Sequence, residues 1–311
     1  MFRVFSSQYH SDSQRQHAFD LETPERRPSE PSFAIMLLPC SLLSLALLPI
    51  SLVQAASNLT PDYEVKILMD PSVVLGTDKK LNPTVLSTFA MPTSVTKLNV
   101  LFLDTDNKTI YGSGWSPRIR KMEGDNIFEL TYKKRYDITN GDIDAALTQA
   151  NKNGFDSADT IFEAQVEWGY QKQTLSISRE RTANNTGYAE MQLPILSTGQ
   201  RLMIKNAPDK FNNWNYKNWG TDQLSISRIY GSILAKRSIG TWSGINKFYI
   251  EVWPIKDAAG TGTEYIVEAS FKVKDRSTAS SKHDELISFL KGKGWLKAQD
   301  SLKTSLIMQR Y

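Results

Sequence analysis

The chain has 311 residues, 37 Lys and Arg against 33 Asp and Glu for a net charge of +4, about 40 % apolar residues, seven Trp, one Cys and three His. That length and apolar content can bury a substantial core, as one large β-rich domain or two smaller ones. A positive balance this mild, spread along the chain, argues against a partner in duplex nucleic acid, which needs a concentrated basic patch.

Residues 1–33 are polar and aperiodic, whereas Phe33–Val53 is an apolar run that leads into Gln54-Ala55-Ala56. This is the pattern of a signal peptide with a small-residue cleavage site. Two prolines inside the run oppose a stable membrane span, with a signal anchor as the alternative, and Met36 is a second candidate start. Removal of residues 1–55 predicts a secreted chain with one domain over 56–311, without Cys40, His10 and His17. What remains excludes a disulfide, a Cys nucleophile and a Cys/His zinc site, and a Ser-His-Asp triad would have to use His283 in a polar, helical segment. Sequons at Asn58, Asn107 and Asn184 fit a secretory route as glycosylation sites.

From Asp62 to Ile67 the residues alternate, so that Asp62, Glu64 and Lys66 share one face of a strand and Tyr63, Val65 and Ile67 the other. Residues 70–95 hold Pro71, Pro83 and Pro92 and read as a loop-rich connection with a short strand or helix around Thr84–Phe89. Leu101–Arg135 reads as three short strands. Alternation pairs Arg118 with Arg120, and Lys133 with Arg135 opposite Phe128, Leu130 and Tyr132. That row of cations is either a solvated outer face or an anion site.

Asn140–Gly154 carries Ile143, Ala146, Leu147 and Ala150 at helical spacing and predicts a helix. Ile161–Tyr170 and Gln173–Arg181 return to period two, with Glu163, Gln165 and Glu167 on one face. Leu175–Arg179 recurs as Leu224–Arg228, either as two equivalent strands each delivering an arginine or by coincidence. Between them, Phe211, Trp214, Tyr216 and Trp219 form a sugar- or base-stacking platform, or a lid packed by its own aromatics. Lys247–Ile255 carries Glu251, and Glu264–Lys274 sets Glu264, Ile266, Glu268, Ser270 and Lys272 on one face. His283–Gly292 predicts a short amphipathic helix, and the tail SLIMQRY is strand-like.

Apolar faces thus stand opposite faces of carboxylates or of cations rather than of small polar residues. Turned into a barrel lumen, such faces would suit a polyanion with a bound divalent metal, Arg and Lys holding phosphate oxygens and Asp and Glu holding Mg²⁺ or Mn²⁺. The order Asp62-x-Glu64-x-Lys66, Leu103-Asp104-Thr105, a Gly114 turn into Arg118-x-Arg120, then Leu130-Thr131-Tyr132-Lys133 resembles the CYTH or triphosphate tunnel metalloenzyme superfamily.

The resemblance implies a mainly β fold, a closed antiparallel eight-stranded barrel with a few peripheral helices. It implies metal-side residues at Asp62, Glu64, Glu251 and Glu268, phosphate-side residues at Lys66, Arg118, Arg120, Lys133, Arg179, Arg228 and Lys272, and catalytic roles for Glu64 and Lys66. The implied activity is metal-dependent hydrolysis of a triphosphate or inorganic polyphosphate. The alternative is an inactive secreted protein on the same fold that binds an anion or a glycan. Two positions depart from the family pattern: Asp62 stands for Glu, and Ser270 stands where a second carboxylate is usual.

Overall fold

The computed structural model describes residues 56–300 and 302–311. The expectations of a leader peptide, its cleavage and the loss of Cys40 fall outside the described residues. Nine strands close into one barrel: β1 Asp62–Met69, β2 Thr96–Asp104, β3 Trp115–Met122, β4 Ile127–Asp137, β5 Glu163–Trp168, β6 Gln173–Asn184, β7 Arg228–Trp242, β8 Ile245–Lys256 and β9 Thr263–Val273. Around the ring they run β1-β5-β6-β4-β3-β2-β7-β8-β9. Eight neighbouring pairs are antiparallel, and β1 and β5 run parallel. The parallel seam follows from parity, because strands alternating in direction cannot close a ring of odd number. The expected closed barrel is therefore found, with one strand more and one parallel pair.

Nine helices are present among the described residues: α1 Pro71–Val74, α2 Pro83–Thr88, α3 Thr109–Gly112, α4 Ile143–Lys152, α5 Leu196–Lys205, α6 Asp209–Asn212, α7 Trp219–Ser225, α8 Arg276–Gly292 and α9 Lys303–Arg310. None is long and apolar enough to cross a membrane. Strand period two turns the large apolar residues outward under these helices. Trp115, Leu130, Tyr132 and Ile177 meet α4 to α7, with Phe155, Phe211 and Trp219 buried among them. Phe248, Ile250 and Phe271 share a cluster with Val74 of α1, Val85 of α2, Leu286 and Leu290 of α8, and Phe89 just after α2.

The third apolar cluster is different in kind. Leu68, Val100, Phe102, Trp253 and Ile266 lie on the inner faces of their strands, and Ile307 and Met308 of α9 pack on them. The lumen is thus polar along part of its length and apolar at one end, where α9 fills it. Burying Ile307 and Met308 there contributes about 1.5–3 kcal/mol each. The tail is therefore helical rather than a strand. SLIMQRY places Ile307 and Met308 inward, and its basic Arg310 bonds Glu264 at 2.6 Å and the Lys256 carbonyl at 2.8 Å.

The two LSISR segments are not equivalent, since Leu175–Arg179 lies within β6 while Leu224–Arg228 leaves α7 and enters β7. The aromatic segment is a packed lid. Phe211 and Trp219 are buried, Trp214 meets the Trp115 ring edge to face at 5.6 Å, and Tyr216 alone of the four is exposed. Only the Tyr216 ring of that segment is fully on the surface. His283 is buried in α8 against Trp168, with Nε2 2.8 Å from the Gly169 carbonyl and Nδ1 2.8 Å from Asp284.

Candidate functional site

The polar part of the lumen is a cavity of about 790 Å³ that opens at a rim including Glu163, Glu180 and Lys247. Nine Lys or Arg and seven Asp or Glu line it. With so small a surplus, placement rather than total charge decides what it can hold.

Strand alternation puts Asp62, Glu64 and Lys66 of β1 on the lumen face, and the ladder sets Glu64 beside Lys272 of β9 and beside Glu167 of β5. Lys66 Nζ lies 2.9 Å from Glu64 and 3.4 Å from Glu167. Glu167 is only 3 % exposed and also accepts from Lys133 at 2.7 Å and from the Ser176 hydroxyl at 2.7 Å, with Arg135 3.7 Å away. Burial alone would raise this carboxyl, but Lys133, Lys66 and Arg135 together hold it well below the usual range. Glu64 is lowered too, burial being outweighed by Lys66 and Lys272. Lys66 is raised in turn, since Glu167 and Glu64 overcome its burial.

Lys133 goes the other way. Burial pushes its amine down to about 8, because Glu167 is shared among three cations and Arg135 and Lys66 repel it. Arg118 is lowered to about 10 by burial and by Arg120. Its Nη2 donates to the Thr131 hydroxyl at 2.9 Å while Arg120 pairs with Glu129. The Nε–H groups of Arg118 and Arg135 are buried without a hydrogen-bond partner. Unsatisfied guanidinium donors in a polar cavity are costly unless an anion meets them. The turn that starts β3 needs Gly114, whose φ is +78° and whose carbonyl accepts from the Arg135 amide at 2.9 Å, tying the two arginine strands together.

Across the lumen, Glu251 of β8 and Glu268 of β9 are opposite in register. Lys303 at the start of α9 reaches between them, 2.6 Å from Glu251 and 2.8 Å from Glu268. Glu251 also takes two bonds from Arg237, at 2.7 and 2.8 Å, and one from the Trp253 indole at 2.8 Å. Burial would raise Glu251, but Lys303 and Arg237 hold it far below the usual range. Glu268 is raised, because its burial outweighs its share of Lys303.

Of the residues expected at the site, Asp62, Glu64, Lys66, Arg118, Arg120, Lys133, Glu251, Glu268 and Lys272 line this cavity. Asp62 is near the rim, with its carboxylate 2.7 Å from Lys274. Arg179 and Arg228 do not line it. Arg179 is on the outer face of β6 and donates to the Ile161 carbonyl at 3.1 Å, and Arg228 pairs with Asp106 at 2.9 Å over the Tyr230 ring. Asp104 is also outside it, accepting the backbone amides of Thr105, Ile110 and Tyr111 at 2.7–2.9 Å and so fixing the turn after β2. Glu167, Arg135, Arg237 and Lys303 line the cavity without having been assigned to the site from sequence. For Glu167 the signal was present, since it alternates with Gln165 and Glu163 on one strand face.

The carboxylates do not fit a resident divalent metal as arranged. Mg²⁺ requires near-octahedral oxygen ligands at about 2.0–2.1 Å, hence converging carboxylates with free lone pairs. Among the described residues no three His, Cys, Asp or Glu side chains converge in that way. Glu64, Glu167, Glu251 and Glu268 are each engaged by a lysine within 3 Å.

Neither a family model nor a curated protein matches the sequence. Solved structures of similar fold include an adenylyl cyclase candidate from Hippeastrum reported to have a dominant triphosphatase activity, at TM-score 0.47 and 13 % identity, covering 78 % of this chain and 93 % of that one. An adenylate cyclase candidate from Bacillus halodurans is similar at TM-score 0.45 and 11 % identity over 81 % and 98 % of the two chains. A protein from Pyrococcus horikoshii is similar at TM-score 0.38 and 14 % identity over 78 % and 98 %. The closed barrel agrees with the closed barrel expected from the sequence.

Proposed function

We propose that the tunnel binds a linear polyphosphate-type anion, of which inorganic tripolyphosphate is the simplest. The observation that carries this reading is the convergence of Arg118, Arg120, Lys133, Arg135 and Lys66 on one cavity, with the Nε–H donors of Arg118 and Arg135 left unpaired. Guanidinium groups match phosphate oxygens in geometry, and a chain of phosphates meets several of them at once. A single carboxylate, Glu167, gathers Lys133, Lys66 and Arg135 around itself, so the cationic wall is assembled before the anion arrives.

Hydrolysis of the bound anhydride is the activity the resemblance implies. The engagement of every buried lumen carboxylate by an internal cation favours the second reading, a binding protein without turnover. Calorimetric titration with tripolyphosphate and with orthophosphate tests binding, and phosphate release with Mg²⁺ or Mn²⁺ separates the two readings. Tripolyphosphate is expected to bind at least about tenfold more tightly than orthophosphate, and no binding of either would overturn the proposal.

Export from the cell is part of the same proposal and rests on the apolar run after Met36. Of the three sequons, Asn107 and Asn184 are exposed, whereas Asn58 Nδ2 donates to the Thr148 hydroxyl at 3.2 Å. Asn107 and Asn184 are thus the proposed glycan carriers.

A further inference from the structure

We infer that Lys303 is the resident cation of the Glu251–Glu268 pair: a tethered ammonium group standing where two facing carboxylates would otherwise attract a divalent metal ion. The two carboxylates are directly opposite on adjacent strands and buried, at 6 % and 3 % exposure. Two such charges in register repel each other and require a cation between them. The Lys303 amine supplies it with bonds of 2.6 and 2.8 Å, and lies 4.6 Å from the centre of the Trp253 ring.

The placement works against helix preference. Lys303 is the first residue of α9, where the positive end of the helix disfavours a cation. The rest of α9 and the terminal tyrosine hold it in position. Ile307 and Met308 are buried in the apolar end of the lumen, Arg310 bonds Glu264, and the Tyr311 hydroxyl accepts from the Lys256 amide at 3.0 Å. A divalent ion would therefore have to expel an ammonium group fixed to a docked helix. It would then find Glu251 still taken by Arg237 and Trp253. Two residues along β9, Ser270 faces the same lumen with a hydroxyl and offers no further charge.

The inference concerns the cation and not the anion, so it is tested without phosphate. Mn²⁺ is titrated into the full chain and followed by calorimetry and by its paramagnetic resonance signal. The wild type is expected to show no tunnel site tighter than about millimolar. Lys303→Met is expected to gain one Mn²⁺ site at least tenfold tighter, which the further change Glu268→Gln removes, while Lys303→Arg behaves as wild type. Should Lys303→Met not fold, Lys303→Gln carries the same expectation. A wild-type Mn²⁺ site of micromolar strength that Glu268→Gln abolishes would overturn the inference. So would a folded Lys303→Met or Lys303→Gln protein that binds Mn²⁺ no better than wild type. Either result leaves tripolyphosphate binding, read in a separate titration, to be judged by itself.

Discussion

Glu64 and Glu167 stand side by side across the one parallel seam of the barrel, and Lys66 bridges them at 2.9 and 3.4 Å. Glu167 is the more constrained of the two, since Lys133 and Ser176 also bond it. Its removal leaves Lys133 and Arg135 without a carboxylate partner and Lys66 with Glu64 alone. Glu167→Gln is expected to lower unfolding stability by about 3–5 kcal/mol, the usual cost of breaking a buried ion pair on one side. Tripolyphosphate should restore part of that loss, because it supplies the missing charge. Urea unfolding with and without the anion measures both effects, and a stability unchanged by the substitution would contradict this account of the network.

Arg118 is expected to trade stability for binding. Its guanidinium is lowered to about 10 by burial and by Arg120, and its Nε–H has no partner. Arg118→Met should weaken tripolyphosphate binding tenfold or more while leaving thermal stability unchanged or raised, since a guanidinium with a buried, unpaired Nε–H is replaced by an apolar side chain of similar length. Calorimetry paired with thermal unfolding reads the two effects. A large loss of stability with intact binding would mark Arg118 as structural.

The Lys133 amine, pushed down to about 8 by burial, predicts a pH dependence within ordinary laboratory range. Below pH 8 the group is charged and attracts the anion. Above it the proton is lost, so affinity for tripolyphosphate falls, and binding at about pH 9 takes up a proton. Lys133→Arg stays charged throughout and should flatten the profile. Titrations in buffers of different ionisation enthalpy count the proton.

Arg179→Ala and Arg228→Ala are expected to leave tripolyphosphate affinity within about twofold of wild type, because neither side chain lines the cavity. Their bonds to the Ile161 carbonyl and to Asp106 are at the surface, where such contacts contribute about 0–1 kcal/mol. A tenfold loss of affinity in either variant would show that the anion extends beyond the cavity described.

Much of the barrel wall was legible as period two. Asp62, Glu64 and Lys66 point one way because Tyr63, Val65 and Ile67 must point the other, and the same parity aligns Glu268, Ser270 and Lys272. Parity also held the answer for Arg179, which shares its strand face with the buried Leu175 and Ile177 and so belongs to the outer side. The tail was not legible in this way. SLIMQRY is short enough to suit strand or helix, and what decides is the apolar end of the lumen, assembled from five strands distant in sequence. Lys303 became a lumen residue only through that docking. The parallel seam was equally hidden, since parity of strand number is a property of the whole ring.

The filled end of the barrel has a consequence for traffic. With α9 seated on Phe102, Trp253 and Ile266, the apolar end of the lumen is filled, and the exposed lining residues Glu163, Glu180 and Lys247 mark the rim at the other end. A long polymeric anion bound there would meet α9 and present a terminus to the lumen. Under the proposed function, arriving and departing anions would share that rim, and the depth of the lumen above α9, rather than the length of the chain outside, would set how many phosphates are held.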